Sequence, residues 1–434
     1  MSTLSAGAKV ASTISGTAVF VESHDVSAKK ETRASSLFTA TLIERTSRSF
    51  AALRTTWVGV EYMSLLSLLA SIVVADSAHV IRVNYAGYLP NAPKVAVLCS
   101  LDSARFDTFV VRDSRDRVVL GPRHTQASGV FGPCRETFRL DFSSLRATGE
   151  YIIAAGEVRS PRVRVAADVY AGSVDTLLGY MRQQRSGFNP YFRDSVHTLD
   201  GFVIDDTGQV VRFQPVSGGW ADAADYLQYV ATSATATYQM LMAFRDRRAS
   251  SSDHAMANGV GGANGVPDLL DEARHGLDWL LAMFPSDSEM FNQLGDDRDH
   301  AYLDLPTTDS SDYGWGKGKQ RPVYSCTGRP QGLFQGRNRS TGYASTAGKF
   351  ASAFALGAQV YARSDTAFAR LLRTKALAAY TLGRQHPGVC QTAPGRSPYF
   401  YEEENWVDDM ELAAAELYAL TRDCLLYTSD AADE

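Results

Sequence analysis

The sequence predicts a multidomain protein in which an antiparallel β-sandwich is followed by an all-α region. Its 434 residues exceed the roughly 100–200 residues of a usual single domain. Residues 79–166 read as short strands separated by turns, whereas residues 167–423 carry long helical patterns. The residue pattern changes from strand-like to helix-like near Ala167, which we take as the domain boundary.

The strand-rich part shows the two-residue period of a half-buried sheet. Phe138, Leu140 and Phe142 alternate with Arg139 and Asp141, so one face points inward and the other outward. Similar segments are HVIRVNYAGYL, PKVAVLCS, DTFVVRD, RVVL, GEYIIAAG and PRVRVAA. This spacing predicts a sandwich of under about 100 residues.

The later part shows apolar residues spaced three and four apart, as Leu269, Ala273, Leu277 and Leu280 illustrate. The predicted helices cover residues 169–183, 222–246, 267–284, 343–362, 366–384 and 408–422. Long Gly-, Asp- and Pro-rich loops separate them, and loops of that length usually carry function. No short repeat is visible, so loosely paired helices are favoured over a solenoid.

The ends of the chain do not resemble domains. Residues 1–62 lack periodicity and are interpreted as a non-native or disordered leader. Residues 63–78 (MSLLSLLASIVVADSA) are too short to span a bilayer and fit a signal peptide, with a buried strand as the alternative. Residues 424–434 resemble a translated sequencing adapter. We therefore expect a secreted or periplasmic protein without stable membrane insertion.

Composition limits the classes of partner. Apolar residues make up 45% and the net charge is −5, which excludes a basic field for nucleic acid. Export would permit disulfides, and four cysteines outside the tail (Cys99, Cys134, Cys326 and Cys390) allow three connectivities; buried free thiols are the equal alternative.

The stretch GGWADAADYLQYV, residues 218–230, contains the strongest candidate for chemistry. Asp222 and Asp225 are predicted to open a helix, where both carboxylates would share one face and the helix dipole would favour their ionised forms. Simple helix capping is the alternative. Trp220, directly before the pair, offers an aromatic face for a polysaccharide.

Three further segments place acids beside aromatic or helical patterns. NQLGDDRDHAYLDLP contains Asp299 and His300, with a solvated turn or a calcium site as the alternative. NGVPDLLDEARHGLDWLLAM has Pro267 where a helix begins. YFYEEENWVDDMELAAAELYALT places Trp406 and Asp409 before an Ala/Leu helix.

In joint order these motifs resemble glycoside hydrolase family 9, the inverting cellulase family, in its form with an N-terminal immunoglobulin-like domain. GGWADAAD is similar to the family's GGWxDAGD motif, QLGDDRDH to its QVGDGxxDH loop, and NWVDDMELAAAELYALT to its late aromatic and acidic helix. The likeness runs from about Val80 to Asp423. It implies an (α/α)6 barrel of twelve helices, of which about half are present.

The resemblance also implies the chemistry. Asp225 would be the general base that activates water for hydrolysis of β-1,4-glucosidic bonds, and Asp222 would help to hold that water. Trp220, Asp299, His300, Trp406 and Asp409 would bind the β-glucan. No cofactor is required, although structural calcium remains open. The family's glutamate acid has no match before Asp423, so the chain as given is expected to be inactive.

Two positions depart from the family pattern. Ala224 replaces a usual glycine, and Leu303 stands where an aromatic residue often follows the Asp-His pair. The second departure leaves room for soluble β-glucans or oligosaccharides. The alternatives are a β-glucosidase or exo-glucosaminidase on the same scaffold, and a carbohydrate-binding protein that lacks catalysis.

Overall fold

A computed structural model describes residues 78–223, 225–247, 252–301, 304–333, 336–396 and 401–427. The predicted leader and, apart from Ala78, the predicted signal segment lie outside the described residues, as do Ala224 and Leu303. None of the described helices is long and apolar enough to cross a bilayer.

The first domain is a sandwich of two antiparallel sheets. Its strands are β1 (His79–Arg82), β2 (Val95–Ser100), β3 (Thr108–Asp113), β4 (Val118–His124), β5 (Gln126–Phe131), β6 (Cys134–Asp141), β7 (Gly149–Ala155), β8 (Val158–Arg159) and β9 (Val163–Val165). One sheet has the order β1-β2-β6-β5; the other has the order β4-β3-β7-β8, and β9 also pairs with β7. The predicted sandwich is thus observed.

The two sheets enclose one apolar core. Leu98 and Leu140 from the first sheet and Val111 and Ile153 from the second are fully buried in the same cluster. Strand β5 was not predicted, because every one of its residues is exposed and it has no apolar alternation. A disulfide between Cys99 and Cys134 joins β2 to the start of β6.

The second domain is built mainly from helices. They are α1 (Ser173–Gln183), α2 (Val230–Asp246), α3 (Asp268–Met283), α4 (Ala344–Tyr361), α5 (Thr366–Gln385), α6 (Val407–Thr421) and the short α7 (Cys424–Tyr427). Four of the six predicted helices begin and end within about one residue of the prediction. The two exceptions are the first, which begins at Ser173, and the second, which begins at Val230.

Helix α4 lies at the centre of this domain because its small residues let neighbouring helices approach. A Cβ on Gly348 would lie 2.6 Å from the Asp409 backbone in α6, and one on Gly357 would lie 2.9 Å from Leu372 in α5. Nearly all residues of α4 are buried, including Phe350 and Phe354. An Ala/Gly-rich sequence here therefore marks a packed helix rather than a flexible one.

The predicted all-α region also contains short strands. They are β10 (Gly187–Asn189), β11 (Asp194–Val196), β12 (Phe202–Ile204), β13 (Val210–Phe213), β14 (Gln228–Tyr229), β15 (Phe291–Leu294) and β16 (Pro322–Ser325). β10 and β11 form a hairpin, and the rest form a sheet of order β13-β12-β16-β15-β14. Strands of two to four residues are too short for periodicity to reveal.

A second disulfide, between Cys326 and Cys390, ties the residue after β16 to the segment after α5. Each disulfide joins two cysteines of the same domain, the first in the sandwich and the second in the helical domain. This pairing is one of the three connectivities left open by the sequence. The alternative of buried free thiols is wrong for these four cysteines.

Candidate active site

The loop between β13 and β14 contains two glycines where it approaches α3 closely. Gly218 and Gly219 have φ values of +117° and +70°. A Cβ on Gly219 would lie 2.6 Å from the Trp279 ring and 2.7 Å from the Gln228 side chain. The glycine pair therefore lets the chain press against α3 before it reaches the two aspartates.

The prediction that Asp222 and Asp225 open a helix is wrong, because α2 begins only at Val230. Instead the chain forms a tight loop in which the Asp222 N–H donates to the Leu227 carbonyl oxygen at 2.7 Å. Tyr226 adopts a left-handed φ of +60°, which is unusual for a bulky residue. The carboxylates thus lie on an irregular loop, the kind of segment that often carries function.

Arg321 holds this loop from beneath. Its guanidinium, 1% exposed, pairs with Asp200 at 2.8 Å and donates to the Gln228 side-chain oxygen at 2.6 Å and to the Tyr226 carbonyl oxygen. Gln228 in turn donates to the Gly218 carbonyl oxygen at 2.7 Å. Sequence reasoning missed Arg321; the only signal was a charged residue directly before a short apolar strand.

Trp220 does not offer its ring to a substrate, which corrects the sequence prediction. The side chain is 3% exposed, and its indole N–H donates to Glu272 at 2.8 Å. Glu272 also pairs with buried Arg185 at 2.7 Å. The tryptophan therefore anchors the loop to α3, because its polar atom finds a partner only inside the domain.

Asp225 and His300 meet across the site. His300 Nε2 lies 2.8 Å from Asp225 Oδ2, a distance at which the imidazole N–H donates to the carboxylate. The two side chains are 35% and 21% exposed, so the pair is accessible from solvent. Asp225 Oδ1 is buried and has no hydrogen-bond partner among the described residues. His300 thus orients one carboxylate oxygen, while the other is buried without a hydrogen-bond partner among the described residues.

Asp299 lies under this pair instead of lining the surface. It is 1% exposed, and the Tyr313 hydroxyl donates to its Oδ2 at 3.2 Å. Burial, and next the charge of Asp225, raise the pKa of Asp299 to about 9. The carboxyl is therefore neutral at neutral pH. The expectation that it contacts sugar from the surface conflicts with this burial.

Asp222 is partly buried beside Asp225. Burial raises its pKa, a hydrogen bond with Thr232 lowers it, and the charge of Asp225 raises it further. This direction is opposite to the dipole effect expected from a helix start.

Tyr401, a residue that sequence reasoning did not single out, is 55% exposed. Burial, together with the charges of Asp222 and Asp225, raises the pKa of its hydroxyl. An exposed aromatic side chain therefore lies near the carboxylates.

Trp406 and Asp409 lie at the start of α6. Asp409 pairs with the Lys349 ammonium, which also contacts Glu403 at 2.6 Å. Burial raises the pKa of Asp409 to about 6 although Lys349 lowers it. Trp406 is partly buried against the helical core. The observed contacts of this pair are structural, and a role in substrate binding stays a prediction.

The acidic turn at residues 296–299 is held by a guanidinium. Arg298 donates to Asp296 at 2.8 and 2.6 Å, and the Tyr324 hydroxyl donates to the same carboxylate at 2.6 Å.

Elsewhere among the described residues, Asp175, His254 and Asp268 lie close enough to share a metal ion. Asp268, however, already accepts hydrogen bonds from two backbone N–H groups. Structural calcium stays a prediction.

Two family models match the chain. The model described as Glycosyl hydrolase family 9 covers residues 170–434, and the one described as Cellulase N-terminal ig-like domain covers residues 76–160. Among curated relatives, Endoglucanase C of Cellulomonas fimi is 27% identical over 387 residues, which are 80% of this chain and 32% of that protein. A xyloglucan-specific endo-β-1,4-glucanase of Bacteroides ovatus is 27% identical over 54% of this chain and 43% of its own length.

Solved structures support the same likeness. A metagenome-derived glycoside hydrolase family 9 endoglucanase superposes with a TM-score of 0.58 at 27% identity, covering 80% of this chain and 62% of that one. The endoglucanase J30 gives 0.58 at 25% identity, with 78% and 61% covered. The chain thus spans about a third to two fifths of those two curated relatives, and under two thirds of the structures.

Proposed function

Because the chain belongs to glycosyl hydrolase family 9, we propose that it supplies the general base of an enzyme that hydrolyses β-1,4-glucosidic bonds with inversion. The observation that carries this proposal is the pair formed by Asp225 and His300 at 2.8 Å. The pair fixes the orientation of the carboxylate, and Asp225 Oδ1 has no hydrogen-bond donor among the described residues that would compete with a proton taken from water.

In this mechanism each side chain around the base has a distinct task. Asp225 removes the proton from the attacking water, and His300 keeps the carboxylate turned toward it. Asp222, close enough for its pKa to respond to Asp225, orients the same water. Neutral Asp299 avoids adding a second full charge directly beneath the base. The contacts of Arg321 and Trp220 with the loop hold the Asp222 and Asp225 carboxylates in position.

An inverting glycosidase also needs a carboxylic acid about 6.5–9.5 Å from the base to protonate the leaving oxygen. We propose that this acid is a glutamate beyond the present chain, in the remainder of an (α/α)6 barrel of which the described helices form part. The chain spans only 32–43% of the two curated relatives, which supports this view.

The proposed substrate is a β-glucan, since the curated relatives include an endoglucanase and a cellodextrinase. We also propose that the protein is exported. The two disulfides support this location because such bonds persist mainly in oxidising compartments.

The test compares the gene continued through its downstream reading frame with the same protein carrying Asp225→Asn. We expect reducing-sugar release from β-glucan to fall about 100- to 10,000-fold. Asp194→Asn, which changes an exposed carboxylate in β11, serves as the matched control and retains activity. NMR of the first-formed anomer checks inversion.

Near-normal turnover by the Asp225→Asn protein would remove Asp225 from the mechanism. Activity of the present 434-residue chain alone, lost with Asp225→Asn, would instead show that the acid lies within it.

A further inference from the structure

A cavity of about 450 Å³ is lined in part by the loop that carries Asp222 and Asp225, but neither aspartate is among its lining residues. Its walls come from the end of α1, from the β10–β11 hairpin, and from Ala221, Ala223 and Tyr226 of the loop. This volume falls within the range of roughly 300–1,000 Å³ typical of small-molecule sites. The mechanism proposed above uses none of this space.

The charged groups that line the cavity are already engaged. Arg185 donates to Glu272 at 3.0 and 2.7 Å and to the Ala257 carbonyl oxygen at 3.2 Å. His197 lies 2.9 Å from Asp309, and the Asp304 carboxylate accepts from Thr308 at 2.8 Å. The Arg185 charge is thus compensated by Glu272 and offers no site for an anion, whereas the exposed Asp304 carboxylate can accept hydrogen bonds from the hydroxyls of a neutral ligand.

Two buried hydroxyls on the wall are incompletely satisfied. Ser186 Oγ has no hydrogen-bond partner among the described residues, although the residue is only 3% exposed. The Tyr226 hydroxyl, on a residue 5% exposed, lies near the Asp304 N–H but finds no acceptor in the described part of the chain. Buried polar atoms are normally paired, so these two indicate a missing hydrogen-bonding ligand.

Two aromatic side chains also line the cavity. Tyr191 and Phe192, in the turn of the hairpin, are 57% and 37% exposed. Aromatic faces combined with a few neutral donors and acceptors are suited to a pyranose ring, whose C–H face packs on an aromatic ring while its hydroxyls form hydrogen bonds.

We propose that this cavity binds a glucosyl residue of a short β-glucan or of its hydrolysis product, as a second saccharide site whose lining does not include Asp225. The general class, a neutral pyranose, follows from the cavity walls; the choice of glucose rests on the proposed function. Because Ala221 and Ala223 form part of the wall, a bound sugar contacts the same loop that carries the base.

The experiment titrates cellobiose into the full chain carrying Asp225→Asn, by calorimetry, and locates the sugar in crystals soaked with the same compound. Ser186→Ala and Tyr191→Ala are then added singly to that background. Neither change is expected to unfold the protein, since the first removes an unpaired hydroxyl and the second an exposed ring. Tyr85→Ala, which removes another exposed tyrosine ring, in the sandwich domain, is the matched control.

We expect electron density for a pyranose beside Ser186 and Tyr191, and an increase in the dissociation constant of about threefold to tenfold in each variant but not in the control. Density only near His300, with unchanged affinity in both variants, overturns the cavity proposal and leaves the proposed function intact. The absence of binding, or binding at crystal concentration only, also overturns it. Loss of the proposed function would show separately, as absent Asp225-dependent hydrolysis despite sugar in the cavity.

Discussion

The two domains use their ion pairs in different ways. In the sandwich, the partners of Arg159–Asp116 are 50% and 57% exposed, and those of Arg162–Glu150 are 64% and 59% exposed. Around the candidate site, the partners of Arg321–Asp200 and Arg185–Glu272 are at most 2% exposed. Buried pairs carry a large desolvation cost that exposed pairs avoid.

This difference has a physical meaning for the site. Both buried pairs contact the loop that carries Asp222 and Asp225, directly through Arg321 or through Glu272 and Trp220. A buried pair is weak evidence for stability, but it has few alternative geometries because each charge must keep its partner. We therefore interpret these pairs as devices that position the loop.

A large effect is expected from breaking one buried pair. Arg321→Met leaves Asp200 buried without its partner, and the helical domain should lose about 3–5 kcal/mol of unfolding free energy. Urea denaturation followed by tryptophan fluorescence measures this loss, since all the described tryptophans lie in that domain. A change no larger than that of an exposed pair would contradict the proposed role of burial.

Each domain contains one disulfide, so the contribution of a disulfide to stability can be compared between the two domains. Removing either pair should cost about 2–4 kcal/mol in the domain that contains it. The Cys326–Cys390 loop spans 64 residues and the Cys99–Cys134 loop 35, so loop entropy makes the first roughly 0.5 kcal/mol more stabilising. Paired Cys→Ala variants, unfolded by guanidinium, check the order; a larger loss in the sandwich would reverse it.

Asp299 provides a pH-dependent test. Its pKa is raised from 3.8 to about 9, so between these values the unfolded chain has released the proton that the folded chain still binds. Stability should therefore fall as pH rises through this window, by up to about 1.4 kcal/mol per pH unit. Asp299→Asn, which keeps the neutral shape, should flatten this decline in urea titrations at pH 5, 7 and 9.

The matched control for that experiment is Asp194→Asn, whose carboxylate is exposed in β11. Its stability profile should run parallel to that of the parent. If the Asp299→Asn profile does so as well, Asp299 is ionised in the folded protein and our account of its environment is wrong.

The smallest effect is expected in the sandwich. Arg159→Ala removes an exposed partner of Asp116, and the midpoint of thermal unfolding should not change measurably. Differential scanning calorimetry tests this directly. A clear drop would show that the surface pairs of the sandwich contribute more than solvent screening allows.

Sequence reasoning succeeded where one element can be interpreted without its neighbours. The period of Phe138, Leu140 and Phe142 predicts a strand whichever sheet receives it, and the period of α3 predicts a helix. It failed for residues 222–229, where local helix-start chemistry competes with long-range partners. Gln228 and Tyr229 pair with β15, and that pairing, with Arg321, keeps the chain extended until Val230.

The sequence by itself determined the β-rich and the helical domain, the family, and the candidate residues Asp222, Asp225 and His300. These inferences depend only on residue types at short spacing along the chain. Only the tertiary structure decided that Trp220 is an anchor, that Asp299 is buried, and that Arg321 supports the loop. Two of these roles depend on contacts between distant residues: Trp220 and Glu272 are 52 positions apart, and Asp200 and Arg321 are 121 positions apart. Burial and pKa arise from those contacts, since they are properties of the surroundings that folding assembles.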